Sequence, residues 1–328
     1  MNLVRPDIPA STGPLAHDDV LPAMFAWQAE RLRTVLVTLV SIEGGSPRPV
    51  GAQMAVCEDG RYAGYLSGGC LEQAIVLEAQ ALLEAGENRL VRYGRGSPYF
   101  DVRLPCGSGL DVYFDTQLPS GVLGTMRQLR RDRRPFALVT DLDTATSSVV
   151  SDEAPERMSR REDCRFTRVY LPEPRIALLG AGPAVSALCQ MAQAAGIALD
   201  VWAGDDATRA LLDACRIAHF RAPAPPDDLF ERIDAYCAVV IAFHDHVSEP
   251  GILQRVLAKP CFYIGVLGNH AVHRQRLAEL EAMGFSADVL ARIRAPIGAI
   301  PQAKGQATLA IGVLAEIMAE AKRNGLVA

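Results

Sequence analysis

No run of eighteen consecutive apolar residues occurs in this sequence, so no segment is long and apolar enough to span a bilayer as a helix. There is no basic excess either: 33 Lys and Arg against 38 Asp and Glu give a formal net charge of −5. Binding along a nucleic acid needs a basic face, and this balance argues against such a partner. Among the eight cysteines there is no CxxC pair and no regular spacing, so no disulfide framework is expected. The expected setting is reduced and cytoplasmic. The opening residues, MNLVRPDIPASTGPLAHDD, have no apolar core like that of a secretory leader, and residues 1–17 read as a flexible lead-in.

What is present is the composition of an ordinary globular protein, with 49% hydrophobic and 22% charged residues. A length of 328 residues suits two domains, each large enough to bury a core. Leu171-Pro172-Glu173-Pro174 is the clearest linker, two prolines two positions apart directly before an apolar strand. The expected division is a domain over 18–171, a linker at 172–174 and a second domain over 175–328.

The first domain is organised around Ser67-Gly68-Gly69-Cys70-Leu71-Glu72. A short strand over 61–66 precedes it, and apolar residues at helical spacing follow over 71–83. Such a turn is expected to aim unpaired N–H groups and the positive end of a helix dipole at a ligand, and to favour thiolate at Cys70. Its position at the start of the helix leaves room for an alternative in which packing of Leu71 and Ala74 turns the thiol inward. Thirty-six positions later the theme recurs as Leu104-Pro105-Cys106-Gly107-Ser108-Gly109. Thr34 to Ile42 is a continuous β-branched run, the pattern of a strand covered on both faces, and it ends in Gly44-Gly45-Ser46-Pro47-Arg48. Asp59-Gly60 marks a hairpin between 51–57 and 61–66. The arginines at 130, 131, 133 and 134 end a helix, where cations suit the dipole. Residues 158–168 are charge-mixed without apolar period and read as a loop. Cys57, Cys189, Cys237 and Cys261 lie in apolar runs and read as core.

The second domain opens with a strand at 175–179 and Gly180-Ala181-Gly182-Pro183, the start of a dinucleotide-type βαβ unit. The tight turn is placed at Gly180 and the close backbone approach at Gly182. Val185 stands where the fingerprint's third small residue belongs, and the second strand ends in Ala203-Gly204 rather than in an acid. A Rossmann-like fold is therefore expected and an NAD site is not. His244-Asp245-His246 falls at the carboxyl end of a strand, suited to touching a ligand or capping a helix better than to holding a metal. The overall class is α/β, a mixed α/β domain followed by a Rossmann-like domain with a mainly parallel sheet.

Taken in order, these motifs resemble the xanthine dehydrogenase accessory protein (XdhC/CoxI) family. Ser46-Pro47-Arg48, Gly68-Gly69-Cys70 and Cys106-Gly107-Ser108-Gly109 correspond to loops of that family's first domain. Gly180-Ala181-Gly182-Pro183, His244-Asp245, Tyr263 to Gly268, Ala295-Pro296-Ile297-Gly298 and Ala310 to Ile317 correspond to its Rossmann-like domain. The resemblance implies a chaperone that binds the molybdenum cofactor (molybdopterin or its dinucleotide form) and protects it during sulfuration by a cysteine desulfurase. It then delivers the cofactor to a molybdoenzyme of the xanthine dehydrogenase type. On this reading Cys106, and secondarily Cys70, meets the molybdenum. Ser46, Arg48, Gly68, Gly69, Gly107, Gly180, Gly182 and His244 complete the binding residues, with the phosphate end at Gly180 and Gly182. The apolar closing helix suggests a homodimer. The competing readings are an NAD(P)-dependent oxidoreductase built on the second domain, and a docking protein that carries no cofactor.

Overall fold

The computed structural model describes residues 19–97, 107–151, 158–243 and 249–327, so Cys106 and His244 lie outside the described residues. The chain forms two compact units, dividing between Pro172 and Glu173, inside the Pro-Glu-Pro run.

In the first unit the elements are α1 (Leu21–Ala29), β1 (Thr34–Glu43), β2 (Gln53–Cys57), β3 (Tyr62–Gly64), α2 (Glu72–Ala85), β4 (Arg89–Gly94) and β5 (Gly109–Asp115). They continue with α3 (Ser120–Arg131), β6 (Phe136–Asp141), β7 (Thr146–Val150), β8 (Arg160–Glu162) and β9 (Arg165–Tyr170). One antiparallel sheet runs β3-β2-β1-β5-β4 and a second runs β7-β6-β9-β8. The apolar run of β1 makes it the central strand, buried from Thr34 to Val40. Val35, Val37 and Leu39 face Ile75, Val76, Ala79 and Leu82 of α2. On the opposite face Leu36 packs with Met24 and Trp27 of α1, Met126 and Leu129 of α3, and Phe136 and Leu138 of β6. Burying each such aliphatic or aromatic side chain contributes about 1.5–3 kcal/mol.

The expected loop at 158–168 is instead largely the β8–β9 hairpin, turning at Asp163 with φ +50°. β8 is an exposed edge strand with an Arg160–Glu162 ion pair at 3.0 Å, and charge on an edge strand hides the alternation that marks a strand. Phe166 and Val169 of β9 are buried.

Two polar seams join the sheets. Tyr170 Oη donates to Gln53 Oε1 at 2.9 Å, and Gln53 Nε2 donates to Thr38 Oγ1 at 2.9 Å. Asp115 accepts from Asn88 Nδ2, Gln117 N and Ser147 Oγ, each at 3.1 Å.

The register fixes where the motif loops emerge. Glu43 and Gly94 both pair with Gly109, while Thr38 pairs with Gln53 and Met54 with Gly64. The ends of β1, β3 and β4 and the starts of β2 and β5 therefore share one edge of the sheet. The connections over 44–52, 65–71 and 95–108 all leave from it.

The second unit contains β10 (Arg175–Gly180), α4 (Pro183–Ala194), β11 (Ala198–Ala203), α5 (Asp206–Ala214), α6 (Asp227–Glu231) and β12 (Cys237–Ala242). After these come α7 (Glu249–Leu257), β13 (Tyr263–Val266), α8 (His270–Ala282), α9 (Ala287–Leu290), β14 (Ile293–Arg294) and α10 (Gln306–Arg323). The sheet is parallel in the order β11-β10-β12-β13-β14. Outside β11, Phe220 makes a single parallel bridge with Trp202, and its N–H reaches Val201 O at 2.8 Å. Phe220 thus holds the place of a third strand, and with it the order is that of a dinucleotide-binding sheet whose third strand is reduced to one bridge. Leu179, Val239, Ile241 and Ile264 bury one face with Leu253, Val256 and Leu280. Ile176, Leu178, Val201 and Val240 bury the other with Val185, Leu188, Val313 and Ile317.

Burial pushes the Asp115 carboxyl above its ordinary range, against the lowering effect of hydrogen bonds from Gln117, Ser147 and Asn88. An acid whose folded pKa is raised lowers stability at neutral pH, and that penalty vanishes as pH falls below the unfolded value of about 3.9. Asp115→Asn should therefore raise the thermal midpoint at pH 7 by a few degrees, with the gain disappearing by about pH 4. A variant that melts lower at pH 7 would mean that the carboxylate's hydrogen bonds outweigh its burial.

Candidate functional site

Between β3 and α2 the chain reverses through Gly68 at φ +76° and Gly69 at φ +111°. A Cβ at either position would meet nothing within 4 Å, so backbone conformation rather than space selects glycine here. Cys70 follows, exposed, one residue before Leu71, the residue that caps α2. The alternative in which this thiol turns inward is corrected: Leu71 is fully buried and takes the inward position.

The N–H groups of Leu66, Ser67, Gly69, Cys70 and Leu71 find acceptors within the turn itself. Glu72, the first residue of α2, folds its buried carboxylate back beneath them. Oε1 accepts from Leu66 N at 3.0 Å and Ser67 N at 2.9 Å. Oε2 accepts from Ser67 Oγ at 2.8 Å, Gly69 N at 2.8 Å and Leu71 N at 3.2 Å. Ser67 Oγ in turn accepts from Cys70 N at 3.1 Å and Leu71 N at 2.8 Å. Burial works to raise the Glu72 pKa, but the hydrogen bonds from Ser67, with that of Leu66, outweigh it and hold the carboxyl below its usual range. Five of the donors expected to stand unpaired are thus bonded inside the chain, and a carboxylate already complements the positive end of the helix.

Neighbouring loops tie into this turn. Ser46 Oγ accepts from Arg48 N at 3.2 Å. The Arg48 guanidinium lies 4.5 Å from the centre of the Tyr65 ring, and its Nη1 donates to Tyr65 Oη at 3.4 Å. Such a stack is worth about 0.5–1 kcal/mol at a partly exposed site. On the other side, buried Ser108 donates its hydroxyl to the Gly45 carbonyl. The Ser46-Pro47-Arg48 loop therefore touches both the strand leading to Cys70 and the segment following Cys106. Gly107 is exposed, with φ +68°. Sequence reasoning missed Glu72, Tyr65 and Ser108 as members of this cluster. An acid in the first helical turn behind a Ser-Gly-Gly run is a capping signal that points to Glu72.

In the second unit the glycine turn is also closed from within. Gly180 pairs with Ala203 on one side and Ala242 on the other, and a Cβ there would strike the Ala242 carbonyl and come 2.9 Å from Val185 Cγ2. Close packing between strands therefore selects glycine at Gly180, and a positive φ, +91°, selects it at Gly182. Val185 is accommodated where the fingerprint has a small residue, because Gly180 leaves room for it. Ala181 N donates to Ala242 O at 2.9 Å, Gly182 N donates to Thr208 Oγ1 at 2.7 Å, and Pro183 has no N–H. Asp205 caps α5, accepting from Thr208 N at 2.8 Å and from Thr208 Oγ1 at 2.5 Å. Burial would raise the Asp205 carboxyl, but its bonds to Thr208 and to nearby N–H groups hold it low. At the end of β11, Arg209 Nε donates to the Ala203 carbonyl at 3.0 Å. The Ala295 to Gly298 turn is pinned to the closing helix: Gly298 N donates to the Glu316 carboxylate, and Ala299 N to Gly312 O at 2.9 Å. Among the described residues no group of three metal-ligating side chains forms.

Comparison with known proteins follows the same division. The sequence profile of the XdhC and CoxI family matches residues 27–94, and that of the XdhC Rossmann domain matches residues 176–317. The chain is 35% identical over 283 residues to the molybdenum cofactor insertion chaperone PaoD of Escherichia coli (strain K12), covering 86% of this chain and 82% of that protein. It is 25% identical over 345 residues to a probable xanthine dehydrogenase subunit of Bacillus subtilis (strain 168), covering 94% and 98%. A crystal structure described as a xanthine dehydrogenase from Bacillus halodurans superposes with a TM-score of 0.71 at 22% identity, covering 92% of this chain and 96% of that one, and shares the fold. The chain belongs to the XdhC and CoxI family.

Proposed function

We propose that this protein is a molybdenum cofactor insertion chaperone serving a molybdoenzyme of the xanthine dehydrogenase type. The observation that carries the reading is the gathering of the Ser46-Pro47-Arg48 loop, the exposed Cys70 turn and the Gly107-Ser108 segment at one sheet edge. The cofactor is cargo. Its molybdenum and terminal sulfur are soft partners for thiols, and its phosphate is a partner for an arginine. In this reading Cys106 contacts the metal, with Cys70 acting during sulfuration by a cysteine desulfurase or during delivery. Arg48 and Ser46 hold the anionic part of the cargo, and His244 is a further contact for it. The work takes place in the cytoplasm.

The oxidoreductase alternative lacks support at the Rossmann turn. A dinucleotide pyrophosphate needs free N–H groups at the start of the helix, and Ala181, Gly182 and Pro183 offer none. The ribose partner is also missing, since Asp205 is engaged with Thr208.

A homodimer completes the proposal, formed through α10, where Ile311 is 52% exposed. Sedimentation of the purified protein at micromolar concentration should give twice the chain mass, and a monomer would remove this part of the reading.

Titration calorimetry with NAD and NADP should show no heat of binding at physiological concentrations. Micromolar affinity for either would revive the dehydrogenase. For the thiols, Cys106→Ala should abolish retention of molybdopterin in protein purified from a molybdate-replete host, at an unchanged thermal midpoint. Cys70→Ala should retain the pterin with reduced sulfur loading, and should alter stability by no more than about 0.5 kcal/mol, as for an exposed side chain. Full retention in the Cys106 variant, or a loss that merely follows unfolding, would leave that thiol without a role.

A further inference from the structure

We propose that Glu72 is the positioning residue for the Cys70 thiol, and that it makes the Gly68-Gly69-Cys70 turn a thiol mount rather than a phosphate cradle. The inference rests on the reading that Cys70 acts on the cargo. Two consecutive glycines at positive φ form a turn with little conformational preference of its own, so something must hold it. The Glu72 carboxylate does this from beneath. It accepts directly from the N–H groups of Leu66, Ser67, Gly69 and Leu71, and it fixes the Ser67 hydroxyl that receives the Cys70 N–H. The residues on both sides of the thiol are therefore fastened to one side chain, while the thiol itself stays exposed.

Chemistry requires a carboxylate at this place. Five donors converge on two oxygens, and a buried acid is tolerated because its acceptor capacity is met. A glutamine would turn an NH2 group toward one set of N–H donors, and an aspartate would fall one methylene short. The same carboxylate excludes an incoming phosphate from these N–H groups, because both charges would compete for the same donors. What the turn offers the cargo is sulfur chemistry.

The test uses the full chain purified from a molybdate-replete host. Bound molybdopterin is read as released pterin, and its terminal sulfur as thiocyanate after cyanide treatment. Wild type, Cys70→Ala, Glu72→Gln and the Cys70→Ala/Glu72→Gln double variant are compared, with amide hydrogen exchange over 66–71 and over β1 and β5. Glu72→Gln should speed exchange at 66–71 tenfold or more and leave β1 and β5 unchanged. It should lower sulfur per pterin as far as Cys70→Ala does, and the double variant should lose no more than either single one. A purely structural role would give losses that add, because independent effects are additive. Ser67→Ala removes the direct acceptor of the Cys70 N–H and should reproduce the result; it carries the test should Glu72→Gln not fold. Sulfur loading that falls in Cys70→Ala but not in the turn variants, or losses that add, overturns the proposal while leaving the chaperone reading intact. A wild-type protein that carries no pterin overturns the chaperone reading itself.

Discussion

Backbone N–H groups at a glycine turn need acceptors, and in this chain side chains supply several of them. The carboxylate of Glu72 closes the Cys70 turn, and the hydroxyl of Thr208, held by Asp205, closes the Rossmann turn. In each case an acid near the start of a helix supplies the negative charge that the helix dipole favours, and in each case hydrogen bonds hold that acid below its ordinary pKa. The positions of the elements around both turns depend on these closures, because two positive-φ glycines and a proline do not fix a chain direction by themselves.

This closure separates the chain from the dinucleotide enzymes whose sheet order it shares. A Rossmann turn that binds pyrophosphate keeps its helix-end donors available. Here the acid that might have met a ribose is drawn back to cap α5, and Arg209 rests on the carbonyl that ends β11. The third strand, part of the first mononucleotide half in such sheets, is reduced to the bridge at Phe220. The fold survives because β10, β12 and β13 are buried on both faces.

Much of this was legible in the sequence. The β-branched run of β1 announced a strand covered on both faces, the Pro-Glu-Pro run lies where the units divide, and the glycine pairs stand where the chain turns. The elements that escaped are short or charged: α6, α9 and β14 have five, four and two residues, too few to show a period, and the β8–β9 hairpin carries Arg160, Arg161, Glu162, Arg165 and Arg168. At the site, residue types announced the turns but not their internal bonding. That Glu72 folds back rather than facing solvent depends on the exposed glycines lifting the chain above it. The packing that selects glycine at Gly180 depends on the register with Ala242, a contact sixty-two positions away.

A glycine-rich turn before a helix usually advertises phosphate, yet in both turns here several of the donors are met from within the chain. Arg48 is held against Tyr65 and its loop is braced by Ser108, so a guanidinium and an exposed thiol leave the same edge of one sheet. Under the proposed function that pair would meet a sulfur-bearing metal group joined to a phosphate, the thiol at the soft end and the guanidinium at the anionic end. A plain nucleotide would match the guanidinium but not the thiol, so the thiol is the part of this edge that a nucleotide binder would not require.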